Sequence, residues 1–97
     1  MSVSTRHHVL RDPKPGEVVR LEPGTHLEVR FRRRGLGLSR WQVEDRPGHL
    51  LSLAEGDHAF QFLVFSSQDL NRPLRLVRSR LDRSGPSEVR DLMVMVG

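Results

Sequence analysis

Arginine is the residue with the most chemistry to offer in this sequence: fifteen arginines and one lysine stand against twelve acids, for a net charge of +4 at pH 7. A guanidinium is a planar fork that meets carboxylates and phosphates with paired hydrogen bonds, so a preference for arginine over lysine suits recognition of either anion. A coding bias towards G and C gives the same excess with no binding role. The sharpest local signal is Arg30, Arg32 and Arg34, which an extended strand projects from one face, with Arg33 and Arg40 nearby. Such a row can track a nucleic-acid backbone, and it is also what the wet face of a half-exposed sheet looks like. Aromatic residues make up only 5% of the chain, tyrosine is absent, and the phenylalanines fall on apolar faces. No platform for stacking single-stranded bases is left.

Histidine, carboxylate and hydroxyl groups offer less. His7 and His8 are adjacent, so in a strand they point to opposite faces, and His26, His49 and His58 each stand without a second ligand at usable spacing. The pairs Glu44 and Asp45, and Glu55 and Asp57, fall in turn-like stretches where acids are common for conformational reasons. The chain has no cysteine, hence no disulfide, thiolate ligand or cysteine nucleophile, and it has no G-x-S-x-G elbow or glycine-rich phosphate loop. These absences point away from an enzyme, a bound metal and a cofactor, and towards a protein that acts by contact.

The elements that must position such contacts are short strands. THLEVRFRRR alternates cleanly, with Leu27, Val29 and Phe31 on one face and His26, Glu28, Arg30 and Arg32 on the other. HAFQFLVF places Phe60, Phe62 and Val64 together, and PLRLVRSR places Leu74 and Leu76 together. Read as a hairpin with the polar loop between them, these two runs form the centre of the core, to which Phe65 also contributes. HHVLR (7 to 11) predicts an edge strand, EVVRL (17 to 21) a short strand, RWQVE a strand with Trp41 and Val43 on one face, and HLLSL another. In EVRDLMVMV, Leu92, Val94 and Val96 face inwards, while Met93 and Met95 form either a second buried layer or an adaptable contact for a partner.

Turn signals separate the runs: Asp12 to Gly16, Glu22 to Gly24 with Pro23 and Gly24 in type II order, Asp45 to Gly48, 54 to 57, and 82 to 87 with Ser84, Gly85 and Pro86. Seven or eight short strands with turns every 8 to 12 residues and no helical period predict an all-β, immunoglobulin-like antiparallel β-sandwich, with a small barrel as the alternative. Trp41 in such a sandwich plugs the core.

A chain of 97 residues, 36% apolar and 29% charged, suits one globular domain spanning 1–97, with residues 1–6 frayed. MSVSTRHHVL lacks the apolar core of a signal peptide, and nowhere do apolar residues run far enough to span a bilayer. The expectation is a cytoplasmic protein without membrane contact, unless an export signal precedes these residues.

From Leu27 to Val96 the chain resembles the chagasin-like inhibitors of papain-type cysteine proteases. The resemblance rests on Trp41 after a glycine-containing loop, on Gly56 leading into Phe60 and Phe62, on Leu74 and Leu76 leading to Arg80, and on the closing strand with Leu92, Val94 and Val96. It implies an immunoglobulin-like sandwich whose loops at one end, 34 to 40, 53 to 58 and 80 to 86, enter a protease groove. Carried over by position, the partner-binding residues are Gly35, Leu36, Gly37 and Leu38 in the first loop, Glu55 and Gly56 in the second, and Arg80, Leu81 and Asp82 in the third.

The loops depart from the family's pattern. The threonines and aromatic of N-P-T-T-G-[YF] are absent, one glycine remains of G-x-G-G, and Arg80, Leu81 and Asp82 replace R-P-W. The framework is closer to the family than the working loops are. The implied partner is a protein, a papain-type cysteine protease in the most concrete form. The competing readings are a non-inhibitory interaction module and a nucleic-acid surface built on Arg30, Arg32 and Arg34.

Overall fold

The computed structural model describes residues 6–32, 39–65, 72–81 and 86–97. They form eight strands: β1 (His7–Arg11), β2 (Val18–Leu21), β3 (His26–Arg30), β4 (Ser39–Asp45), β5 (Leu50–Glu55), β6 (Ala59–Val64), β7 (Leu74–Arg80) and β8 (Pro86–Val96). One sheet has the order β1-β3-β6-β5 and the other β2-β8-β7-β4, with no helix among the described residues. The fold is the all-β sandwich that the alternation predicts.

Period-2 patterning explains which faces meet. Leu27, Val29, Leu50, Phe60, Phe62 and Val64 come from the first sheet, and Leu74, Leu76, Leu92 and Val94 from the second; each is 0 or 1% exposed, and all join one core. At roughly 1.5–3 kcal/mol for each such side chain, this layer is the main source of cohesion. Trp41 is 5% exposed and plugs the core as expected. Met93 and Met95 lie half-buried on the outer face of β8.

Three features differ from the sequence expectation. The runs 59–64 and 74–80 are not a hairpin: β6 pairs with β3 and β5, whereas β7 pairs with β4 and β8 in the opposite sheet. Both runs bury one apolar face, and the stretch between them is long enough to cross from one layer to the other, so their phenylalanines and leucines meet across the core. Phe65 is 42% exposed. Its odd position puts it on the face opposite Phe60, Phe62 and Val64.

The edges also differ from a purely antiparallel scheme: β1 pairs with β3 and β2 with β8 in parallel. The stretch 12–17 carries the chain from one sheet to the other, and Gly16, at a φ of 75°, supplies a backbone conformation that side-chain-bearing residues avoid. Gly24, at a φ of 87°, occupies the position that a type II turn after Pro23 requires.

His49 joins the two layers. It is wholly buried, its Nε2 lies 2.7 Å from the carbonyl oxygen of Val94, and its own carbonyl accepts the Phe65 amide at 2.7 Å.

Candidate protein-binding end

The three loop positions converge because of strand register. Arg30 at the end of β3 stands opposite Ala59 at the start of β6, and Ser39 at the start of β4 stands opposite Arg80 at the end of β7. The β3 end and the β5–β6 turn thus share one end of the first sheet, the β4 start and the β7 end share one end of the second, and the Trp41 amide bonded to the Asp57 carbonyl brings those two ends together.

Backbone bonds fix the middle turn between its neighbours. Gly56 donates its amide to the Ala59 carbonyl at 2.9 Å, leaving Asp57 and His58 as a two-residue tip. The carbonyl of Asp57 accepts the Trp41 amide at 2.8 Å, and that of His58 accepts the Phe31 amide at 2.7 Å. One bond reaches β4, at the edge of the second sheet, the other the residue that follows β3. The tip is thus clamped to both layers.

Aromatic packing stiffens the floor beneath it. The rings of Phe31 and Trp41 stack with centroids 3.9 Å apart, and Phe31 meets Phe60 edge-on at 6.4 Å. The Arg90 guanidinium lies 5.7 Å from the centre of the Trp41 ring, and its Nε donates to the Pro13 carbonyl at 2.9 Å. Glu88 lies 3.3 Å from Arg78 and 2.5 Å from Arg90, so the acid holds both cations beside Trp41. Nε of Arg78 and Nδ1 of His58 are buried with no hydrogen-bond partner among the described residues.

Of the residues singled out from sequence, Glu55 closes β5 and Gly56 follows it, both exposed. Arg80 is half-buried at the end of β7, and Leu81 is 64% exposed just beyond it. Gly35, Leu36, Gly37, Leu38 and Asp82 lie outside the described residues. The loops are shorter than expected: Arg40 belongs to β4, Leu53 to Glu55 belong to β5, Arg80 to β7 and Pro86 to β8. A Cβ on Gly56 would lie 3.2 Å from the Ala59 carbonyl oxygen, so a side chain there requires a small shift of the turn.

The arginine row is less free than its sequence implies. Arg30 lies 3.6 Å from Glu28 and Arg32 lies 4.0 Å from Asp12, while Arg34 is outside the described residues. His7 and His26, far apart in sequence, are brought together by β1–β3 pairing with ring centroids 4.7 Å apart, and His26 Nε2 bonds Gln61 at 3.0 Å. Among the described residues no group of three or more histidines and acids stands where it could hold a metal ion. No described helix is long and apolar enough to cross a membrane. Sequence reading placed Asp57 and His58 in the second loop and Phe31 on a buried face, and missed the clamp between them, which is made by backbone groups that residue type does not reveal.

No family model matches the chain, and a search of curated proteins finds no match. Among solved structures, the fold is similar to that of the cysteine protease inhibitor EhICP2 from Entamoeba histolytica. The TM-score is 0.57 and the identity 12%, over 99% of this chain and 100% of that one. At that identity the likeness is one of fold.

Proposed function

We propose that the chain is a protein-binding sandwich whose three loops at one end enter the active-site groove of a papain-type cysteine protease, as in chagasin-type inhibitors. The observation that carries this reading is the clamping of the Asp57–His58 tip by the Trp41 and Phe31 amides, at 2.8 and 2.7 Å. A narrow turn held rigidly between two flanking loops can occupy a groove without a large entropy loss on binding. The similarity of the fold to that of a cysteine protease inhibitor supports the same reading.

In this scheme the backbone of Gly56 and Asp57 lies across the groove, with Glu55 at its margin. Gly35, Leu36, Gly37 and Leu38 supply a small apolar wedge on one side. Arg80, Leu81 and Asp82 make rim contacts on the other. The mode of action is occlusion, with no bond made or broken by the inhibitor.

Titration of several papain-type proteases with this protein tests the proposal. Loss of protease activity at submicromolar protein, reversible on dilution, is the expected result. Full activity of every enzyme at micromolar protein overturns it.

A further inference from the structure

Two clefts open beside the clamped turn. One, of about 310 Å³, is lined by Arg11, Asp12, Arg30, Phe31 and Arg32. The other, of about 390 Å³, is lined by Arg30, Phe31 and residues 56–59. They share Arg30 and Phe31, so they are two parts of one depression running from the end of β1, across the end of β3, to the β5–β6 turn.

The first cleft carries three guanidinium groups and one carboxylate, and that carboxylate is committed to the backbone. Asp12 Oδ1 accepts the Arg32 amide at 2.7 Å, and the Asp12 amide donates to the Arg30 carbonyl at 2.8 Å. Asp12 adopts a φ of 47°, in the left-handed region that aspartate enters more readily than most non-glycine residues, and these two hydrogen bonds hold it there. Bonds on both sides of Phe31, whose ring is fixed against Trp41, therefore set the directions in which the flanking arginines leave the chain.

Those arginines keep their hydrogen-bonding capacity. The side chains of Arg30 and Arg32 are 52% and 81% exposed, and their acid neighbours lie at 3.6 and 4.0 Å. Contacts this long from largely exposed guanidinium groups contribute little and are readily exchanged for a better-matched anion. A carboxylate approaching the fork of a guanidinium gains two charge-assisted bonds at once.

We propose that this depression seats an acidic, carboxylate-bearing segment of the protein partner, next to the groove that the loops enter. The proposal rests on the protein-binding reading of this end and adds the chemistry of the partner's rim. A nucleic acid fits less well. Phe31, the aromatic residue of the depression, is 8% exposed and stacked on Trp41, so no base can stack there.

The test uses a fluorescein-labelled polyglutamate peptide and an oligothymidylate of matched charge, with the natural chain and an Arg11→Gln, Arg30→Gln, Arg32→Gln variant. All three substitutions lie on exposed positions, and a far-UV spectrum and melting curve confirm that the variant folds. The expected result has three parts: saturable peptide binding at low salt, amide shift changes at Asp12, Phe31 and Arg32, and a loss of about tenfold or more in affinity in the variant. Peptide binding equal in both proteins, no peptide binding, or tighter binding of the oligothymidylate at the same residues overturns the proposal. Protease titration separates the two ideas. Equal inhibition by both proteins, together with no peptide binding, ends this inference alone. Arginine-dependent peptide binding without inhibition of any protease ends the inhibitor reading alone.

Discussion

Phe31 and Trp41 stack face to face, 10° from parallel, although one ring follows β3 and the other stands in β4 of the opposite sheet. The pair fastens the two layers directly beneath the turn whose carbonyls bind the amides of the same two residues. Removing either ring is expected to loosen the end of the sandwich as well as the core. Phe31→Ala should cost about 3–5 kcal/mol, read by urea unfolding, and should red-shift the native emission of Trp41, the sole tryptophan. A loss below about 1 kcal/mol with an unchanged spectrum would contradict this role.

Burial of His49 makes a second, independent tie between the layers through Val94. His49→Leu fills the site with an apolar side chain of similar size but leaves the Val94 carbonyl without its imidazole partner. The expected cost is about 1–3 kcal/mol, because a buried acceptor is left unmet. A variant as stable as the natural chain would show that this bond has no net value.

The outer face of the second sheet gives a pH dependence. The Arg75 side chain holds Asp91 through two hydrogen bonds, at 2.7 and 3.0 Å, and lowers its carboxyl pKa below the ordinary aspartate value. Between the lowered and the ordinary value, about 3.9, the unfolded chain binds the proton and the folded chain does not. Stability from this pair is therefore complete above the ordinary value and is lost as pH falls through the folded one. Asp45 is lowered in the same direction by its hydrogen bond from Arg72. Urea midpoints for the natural chain and Asp91→Asn should show a constant gap above the ordinary aspartate value, and the gap should close only as pH falls through the lowered value of the folded chain. A gap that does not change with pH would remove the assignment.

Binding and stability should separate at the loop end. Leu81 is 64% exposed, so Leu81→Ala should change stability by no more than about 0.5 kcal/mol while weakening protease binding. At Gly56 a tryptophan would crowd the Ala59 carbonyl, 3.2 Å from a new Cβ, and would thicken the tip. Gly56→Trp is expected to retain the fold by circular dichroism and to lose at least tenfold in inhibition, a change of about 1.4 kcal/mol. Undiminished inhibition would mean that the tip does not enter the groove.

How much of this was legible in the sequence depends on the kind of information each feature needs. Leu27, Val29, Phe60, Phe62, Leu74 and Leu76 announce their faces by alternation, because one side of each strand is buried. Alternation carries no record of the partner strand. It therefore suggested a hairpin for β6 and β7, which stand in different sheets, and gave no sign that β1 and β2 pair in parallel. Phe65 was misplaced by its company of aromatics, although its parity puts it outside. The candidate end was partly legible: Glu55, Gly56, Arg80 and Leu81 do sit at one end of the sandwich. The features that shape that end, the carbonyls of Asp57 and His58 and the left-handed turn at Asp12, belong to the backbone. Residue type leaves the two carbonyls unmarked and marks Asp12 only as part of a turn cluster.

The central claim is that the clamped turn and its neighbouring loops occupy a protease groove, and its most direct test is steady-state inhibition of papain-type cysteine proteases by the natural chain and by Gly56→Trp. The account predicts concentration-dependent loss of protease activity by the natural chain and a clear rise in the inhibition constant for the variant. Full protease activity at micromolar protein, or equal inhibition by both chains, would contradict it.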